Sequence, residues 1–360
     1  MSHSVTHDFS STPVSFDIAP VGSGNQNHLV AVGLLSGELQ LLTLSEKGLR
    51  KKQLKLKHQW SRLHKNAVRK VRFPIAKSSK QMPVHVYSAS KNKALVQWDV
   101  ETGKKVRCLR TAHADSSPYS LCAIPSSHPS RCLMASGDED GFVRMWDFSA
   151  AEPKIAEFSE QDDYISDVVA SASENRTLLA TSADSTLAAY DIRAKKLQLR
   201  SEPLETELLS LAVAPPTTEP RGRVLCGCED GFCAVFRQQE YGNIIERIPT
   251  GHEKTESTVD SITMVDSCTA VTGSTLDGEL RLLGLNPNRS MGLIGTHSEG
   301  VEEVHAIEEN ELVLSCGHDD KLRLWDIAAH LAQRTDKQGR KRKRNKDADP
   351  RDVDDFFGDL

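Results

Sequence analysis

The residues in this chain whose types could do chemistry are few and scattered. Cys226, Cys228 and Cys233 form the one close thiol group, and thiolates could hold a zinc ion. A structural zinc site wants four nitrogen or sulfur ligands at workable spacing, and no histidine or second cysteine pair stands within reach in sequence. Leu225, Gly227 and Glu229 interleave with the first two cysteines, so the segment reads as one face of a buried strand. No glycine loop with a phosphate-cradling spacing is present, and no strand–turn–helix pattern presents a nucleophilic serine. Asn175-Arg-Thr and Asn288-Arg-Ser have the form of glycosylation acceptors, which carry meaning on a secreted chain. These residues predict no enzyme, no cofactor, no metal and no small-molecule substrate. What remains is charge. Arg50, Lys51, Lys52, Lys55 and Lys57 crowd into eight positions, and Arg340, Lys341, Arg342, Lys343, Arg344 and Lys346 put six cations into seven. Leu54 and Leu56 alternate within the first run, which therefore reads partly as an outer strand in a linker between repeats, with its lysines guarding the edge. Its sharper reading is a contact with RNA or an acidic protein.

Composition fixes the setting. Forty-five Lys and Arg stand against 50 Asp and Glu in 360 residues, a formal charge of −5, so the body is not built as a nucleic-acid coat. A chain of this length buries roughly three quarters of its unfolded surface without help from disulfides. Eight cysteines with no Cys-x-x-Cys pair fit free thiols in a reducing compartment. No run approaches 18 apolar residues, and the opening MSHSVTHDFSSTP has neither the basic nor the apolar region of a secretory signal. A soluble intracellular protein without membrane contact is expected.

The elements that must position these residues are announced by repetition. Gly-Asp-Glu-Asp-Gly-Phe-Val-Arg-Met-Trp-Asp at 137–147 and Gly-His-Asp-Asp-Lys-Leu-Arg-Leu-Trp-Asp at 317–326 share a frame: a polar turn, alternating apolar residues, then Trp-Asp. The frame recurs with decay from Ser36 to Leu42, Asn92 to Trp98, Asp184 to Tyr190, Asp230 to Phe236 and Asp277 to Leu283. Anchors at 42, 98, 146, 190, 236, 283 and 325 are separated by 56, 48, 44, 46, 47 and 42 residues, the period of a four-stranded propeller blade. Short apolar runs such as Leu133–Ser136, tight turns such as Asp140-Gly141, and alternation from Phe142 to Trp146 are strand signals. The reading is all-β: seven blades closed into a ring over residues 1–334, with the segment Ser4 to Phe9 completing the outer edge of the last blade. A disordered tail over 335–360 follows.

The chain resembles the WD-repeat β-propellers over about residues 5–328. In that family a loop His, a second-strand Ser or Thr, the turn Asp and a third-strand Trp form a hydrogen-bonded set. The resemblance implies such sets at His113, Ser136, Asp140 and Trp146 and at His297, Ser315, Asp319 and Trp325, with the histidines and aspartates structural rather than catalytic. Blade two offers His64 and Trp98 with Asn92 in the Asp place, and blade six keeps His252 and Asp277 without the Trp. The residue before each turn, Leu35, Lys91, Glu139, Ala183, Glu229, Leu276 and His318 in turn, lies outside the set at the blade's rim. Of these, Lys91, Glu139, Glu229 and His318 are the candidate partner contacts. Their mixed charge suits a protein better than a nucleic-acid groove.

Past Ile327 the pattern stops. A turn or two of helix over Ala328 to Arg334 precedes the basic run at 340–346, which reads as a nuclear-import or nucleic-acid patch. The chain then ends acidic and aromatic, and Phe356, Phe357 and Leu360 read as a docking motif that orders on a partner. Propeller, basic cluster and Phe-Phe-Gly-Asp-Leu end together resemble the family of WD repeat-containing protein 55 and its fungal Jip counterpart. The phrases Asp17-Ile-Ala-Pro and Gly37-Glu-Leu share that family's general look. The resemblance implies a non-catalytic nucleolar scaffold in ribosome biogenesis and rRNA processing. Its partners would be pre-ribosomal assembly factors, with RNA reached through the tail and residues 50–57. A second reading is a substrate receptor of a cullin–RING ubiquitin ligase, since Tyr190-Asp191-Ile192-Arg193 is similar to the adaptor-docking WDxR signature, with Asp191 and Arg193 as contacts. Chromatin binding by one propeller face is a third.

Overall fold

Alternation and tight turns resolve into short antiparallel strands. The computed structural model describes residues 5–19, 27–45, 53–60, 64–75, 84–126, 131–171, 176–214, 222–307 and 311–332. The first strand, β1 (Val5–Asp8), stands apart from its neighbours in sequence. Blade one is β2 (Pro13–Ile18), β3 (Asn27–Leu34), β4 (Leu39–Ser45) and β5 (Gln53–Trp60). Blade two is β6 (Val68–Arg72), β7 (His85–Ser90), β8 (Leu95–Asp99) and β9 (Lys105–Leu109). Blade three is β10 (Pro118–Ile124), β11 (Leu133–Asp138), β12 (Val143–Asp147) and β13 (Lys154–Phe158). Blade four is β14 (Ile165–Ala170), β15 (Thr177–Ser182), β16 (Leu187–Asp191) and β17 (Lys196–Arg200). Blade five is β18 (Leu208–Val213), β19 (Arg223–Cys228), β20 (Phe232–Arg237) and β21 (Glu246–Pro249). Blade six is β22 (Ser261–Asp266), β23 (Thr269–Gly273), β24 (Glu279–Leu285) and β25 (Asn288–Thr296). Blade seven joins β26 (Val301–Ile307), β27 (Leu312–Gly317) and β28 (Lys321–Asp326) to β1. The chain is a seven-bladed propeller, with one helical turn at 328–332 after the last blade. Among the described residues no helix is long and apolar enough to cross a membrane.

β1 pairs antiparallel with β28, Val5 opposite Leu324 and Asp8 opposite Lys321, so the chain's beginning fastens its last blade. Phe9 N–H extends the ladder to the Asp320 carbonyl at 2.9 Å. An unpaired β28 edge would otherwise be open to another chain.

The core is not one mass but a set of inter-blade layers, because a four-stranded sheet has two faces and each must find a neighbour. Leu39, Leu41, Val86 and Trp98 fill the layer between blades one and two. Met134 and Trp146 close on Tyr87 and Leu95 between two and three. Phe16 and Leu42 meet Leu314 and Leu324 where blade one packs on blade seven. Glycines near the end of second strands permit the close approach: a Cβ on Gly137 would stand 2.3 Å from Ile165 Cγ2 of the next blade. The turns use left-handed backbone where expected, with φ of 82° at Gly141 and 58° at Asp320.

Lys55 and Lys57 of the basic run lie in a blade, as the outer-strand reading expects. Residues 53–60 are β5, the outer strand of blade one. Leu54 is buried while Lys55, Leu56 and Lys57 are all exposed, because a register shift opposite Leu41 and Leu42 breaks the alternation. The basic tail residues Arg340 to Lys346, and Phe356, Phe357 and Leu360, lie outside the described residues, as do residues 50–52.

Candidate protein-interaction face

In blades two, three, six and seven the internal fastening begins with a hydroxyl, of Ser88, Ser136, Thr272 and Ser315. In blade seven Trp325 Nε1 donates to Ser315 Oγ at 2.7 Å, and that oxygen lies 2.7 Å from His297 Nε2. His297 Nδ1 is 2.8 Å from Asp319 Oδ1. Indole only donates, so the serine proton goes to Nε2 and the remaining ring N–H to the carboxylate, and every donor is spent. Burial keeps the His297 ring neutral by lowering its pKa, against the pull of Asp319. Blade two repeats the chain through Trp98, Ser88 and His64. With Asn92 in place of a carboxylate, burial takes the His64 pKa down to about 4.

Blade three corrects one expectation. The partner of His113 Nδ1 is Asp138 Oδ2 at 2.9 Å, not Asp140. Asp138 ends β11, where blades two, four and six have Ser90, Ser182 and Ser274, each receiving a turn amide. The longer carboxylate does that work and more. Its Oδ1 takes the amides of Asp140 and Phe142, while Oδ2 reaches His113 and Arg144. Asp140 is left exposed. Ser136 and Trp146 join His113 as expected, at 2.7 and 2.8 Å from the serine oxygen.

The inner strands carry functional side chains that the repeat frame did not mark. An inner strand is an edge, so its outward amides need acceptors, and the preceding blade supplies them. Asp17 takes the Phe73 amide at 2.6 Å, Asp167 the Leu211 amide at 3.1 Å, and Ser261 the Val304 amide at 3.0 Å. Glu303 of blade seven accepts from Phe16 N–H at 2.9 Å and from Arg72 and Lys70 at 2.7 and 3.2 Å, bracing three blades. Burial works against its charge, but Arg72 and Lys70 hold its carboxyl well below the usual range. Burial pushes Asp17 and Asp167 up. With these carboxylates committed to amides or cations, the arrangement cross-braces the ring.

The channel holds a cavity of about 830 Å³, and the brace residues Asp17, Lys70, Arg72, Asp167 and Glu303 are part of its wall. Six inner strands shift register immediately after their first residue. The bulges turn Val14, Arg69, Tyr119, Ser166, Leu209 and Glu302 toward the cavity, where all six form its lining. The rim residues stand at the same end, because each hairpin bonds to the loop entering its own blade: Lys91 N to Ala67 O, Glu139 N to Ser117 O, Glu229 N to Glu207 O, His318 N to Gly300 O. Lys91, Glu139, Glu229 and His318 are exposed, as are Leu35 and Leu276, whereas Ala183 is buried. His318 pairs with Glu302 at 2.8 Å, which raises its pKa. Arg69 pairs with Glu139 at 2.7 Å. The signal for Arg69 and Tyr119 was positional: the second residue of a blade's inner strand.

Other candidates separate on inspection. Cys226 and Cys228 face the layer toward blade four and Cys233 the layer toward blade six. All three are buried free thiols pushed up by burial, Cys228 to about 12. His252, Asp277 and Glu279 stand close enough to hold an ion. Both His252 nitrogens already face Asp277 and Thr272 oxygens, at 2.9 and 3.2 Å, and Glu279 pairs with Arg281, so the trio is structural. Asp191 Oδ1 caps its hairpin through the amides of Arg193 and Ala194 at 2.7 Å each, leaving the Arg193 side chain exposed.

Comparison with known proteins agrees with this geometry. The WD domain, G-beta repeat model matches residues 104–147 and 289–326. The chain is 30% identical over 301 residues to WD repeat-containing protein 55 of Arabidopsis thaliana, covering 83% of this chain and 77% of that protein. It belongs to the WD repeat-containing protein 55 family. The Rattus norvegicus member is 29% identical over 241 residues, 67% of this chain and 58% of its own length. A Drosophila persimilis homolog is 30% identical over 244 residues, 68% of this chain and 45% of its own. The chain thus spans about half the length of these two animal relatives. Membership makes the chain a WD-repeat protein-interaction scaffold, of a kind that is generally non-catalytic.

Proposed function

We propose that this chain is a nucleolar scaffold that gathers protein partners during ribosome biogenesis and rRNA processing, without catalysis of its own. The observation that carries the reading is the rim: a ring of exposed side chains of differing chemistry around a braced channel, on a chain of this family. Such a face recognises by side-chain complementarity and needs no reacting group. The basic residues Arg340 to Lys346 supply the nuclear address, and RNA contact falls to them and to Lys55 and Lys57 of β5. Pre-ribosomal assembly factors are the partners this reading requires.

The test is imaging of the fluorescently tagged full chain beside a version with those six tail cations changed to Gln. Nucleolar signal that the changes disperse supports the reading; cytoplasmic signal from both overturns it. The exposed Arg193 keeps the ligase-receptor alternative concrete, and that alternative requires Arg193→Ala to abolish capture of the ligase adaptor.

A further inference from the structure

Charge separates around the channel mouth. Lys91 and Arg69 stand on blade two, while Glu139, Asp163, Glu207 and Glu229 follow one another on blades three to five. Arg69 neutralises Glu139. Among the described residues no cation pairs with Glu207 or Glu229, although the two are joined through a backbone bond of 3.1 Å. Burial, then repulsion from Glu229, raises the Glu207 carboxyl pKa, and Asp163 adds to it.

The mouth also shows what it does with a guanidinium. Arg69 lies 5.1 Å from the centre of the Tyr119 ring while bonding the Glu139 carboxylate, an aromatic face beneath and an anion beside. The next ring, Tyr164, is 5.1 Å from Tyr119, and its hydroxyl donates to Glu207 at 3.4 Å. Tyr164 therefore repeats the pairing of aromatic ring and carboxylate, without the cation. Where neighbouring blades carry Glu139 and Glu229 at the rim, blade four carries only the methyl group of Ala183, bonded through its amide to the Tyr164 carbonyl at 3.1 Å.

We propose that the mouth between blades four and five docks an arginine or lysine side chain from a basic segment of a partner protein. Tyr164 lies under the cation, and Glu207 and Glu229 stand beside it. This deepens the scaffold reading and rests on its protein-binding part, not on nucleolar residence. The same carboxylates repel phosphate, so nucleic acid is turned away from this mouth.

The probe is a fluorescein-labelled peptide of alternating Gly and Arg, read by anisotropy against the full chain at two salt concentrations, with a Gly-Glu peptide as control. Glu207→Gln with Glu229→Gln, and separately Tyr164→Ala, each weaken Arg-peptide binding by about tenfold. Tyr164→Phe keeps most of it. Glu207→Gln with Glu229→Gln removes repulsion, so its urea midpoint is at least that of the parent and lost binding is not lost fold. The proposal is overturned if the Arg peptide binds no tighter than the Gly-Glu peptide, or if these substitutions leave its affinity unchanged. Peptide binding that appears only when Arg340 to Lys346 are changed to Gln overturns the partner assignment, because the chain's own basic run then fills the mouth. The peptide assay is independent of where the protein resides, so it and the imaging fail separately.

Discussion

Blade three holds two aspartates two residues apart, and the structure assigns them opposite fates. The Asp138 side chain is 1% exposed and serves four donors: His113 at 2.9 Å, the turn amides of Phe142 and Asp140 at 2.9 and 3.1 Å, and Arg144. Asp138→Ala strands the buried His113 ring N–H, takes the acceptor from the Asp140 and Phe142 turn amides, and leaves Arg144 with Glu157 alone. Orphaned buried donors cost roughly 1–3 kcal/mol each. We expect a loss of about 3–5 kcal/mol for Asp138→Ala. The Asp140 side chain is exposed and has no partner among the described residues, so Asp140→Ala stays within about 0.5 kcal/mol. The difference carries a pH signature. Although burial opposes its charge, the bond from His113 leads in holding the Asp138 carboxyl down to about 2, from 3.8. Its folded pKa is depressed, so the stabilisation is present above pH 3.8 and lost as pH falls toward 2, and the drop is worth roughly 2 kcal/mol. Urea unfolding followed by tryptophan fluorescence, at pH 7 and near pH 2.5, measures both parts. An Asp140→Ala cost equal to that of Asp138→Ala would refute the assignment, as would a gap between parent and Asp138→Ala that does not narrow in acid.

Other outcomes follow from the same geometry. His64 has a folded pKa of about 4 against 6.5 unfolded, so its share of stability is full above 6.5 and drains between 6.5 and 4. Asn92→Asp gives the ring an anion, and this variant should lose less stability than the parent between pH 7 and 5 in urea titrations. Gly137→Ala drives a Cβ against Ile165 and should lower stability by about 1–3 kcal/mol, read as a shift in the urea midpoint. A chain starting at Phe9 lacks β1 and bares the β28 edge. It should show higher-order species by size-exclusion chromatography, and an unaltered monomer would count against closure by β1.

The sequence showed most where blades repeat. Trp98, Trp146 and Trp325 fall in one register because the same second-strand serine must receive their indole N–H ten residues back. The spacing of anchors was legible also in blades four, five and six, which keep the Asp without the Trp, and faintly in blade one, which keeps neither. Asp140 misled because counting back six residues from Trp146 finds an aspartate, while the physics favours Asp138, which caps the turn and meets the buried imidazole at once. The mouth was legible only in part. Lys91, Glu139, Glu229 and His318 could be placed because they flank turns, but the equivalent positions that hold Arg69 and Tyr119 carry Val14, Ser166, Leu209 and Glu302 in other blades, with no shared residue type. Their common feature is a bulge or strand entry, which spacing does not reveal.

The channel wall was the least legible part, and its chemistry explains why. Every blade must satisfy the exposed amides of its inner strand, yet any acceptor of the right reach will do. Serine serves at Ser15 and Ser261, threonine at Thr263, aspartate at Asp17 and Asp167, and glutamate at Glu303. A requirement met by four residue types leaves no motif. It does divide labour along the channel axis. Carboxylates deep in the channel are consumed by amides and by Lys70 and Arg72, so they cannot also hold a ligand without loosening the ring. Glu207 and Glu229 at the mouth meet no cation among the described residues, Glu207 accepting only the Tyr164 hydroxyl, and burial followed by the repulsion of Glu229 raises the Glu207 carboxyl pKa. Charge that meets no counter-charge in its own chain is charge open to a partner, and that is the physical ground for placing recognition at the mouth and integrity below it.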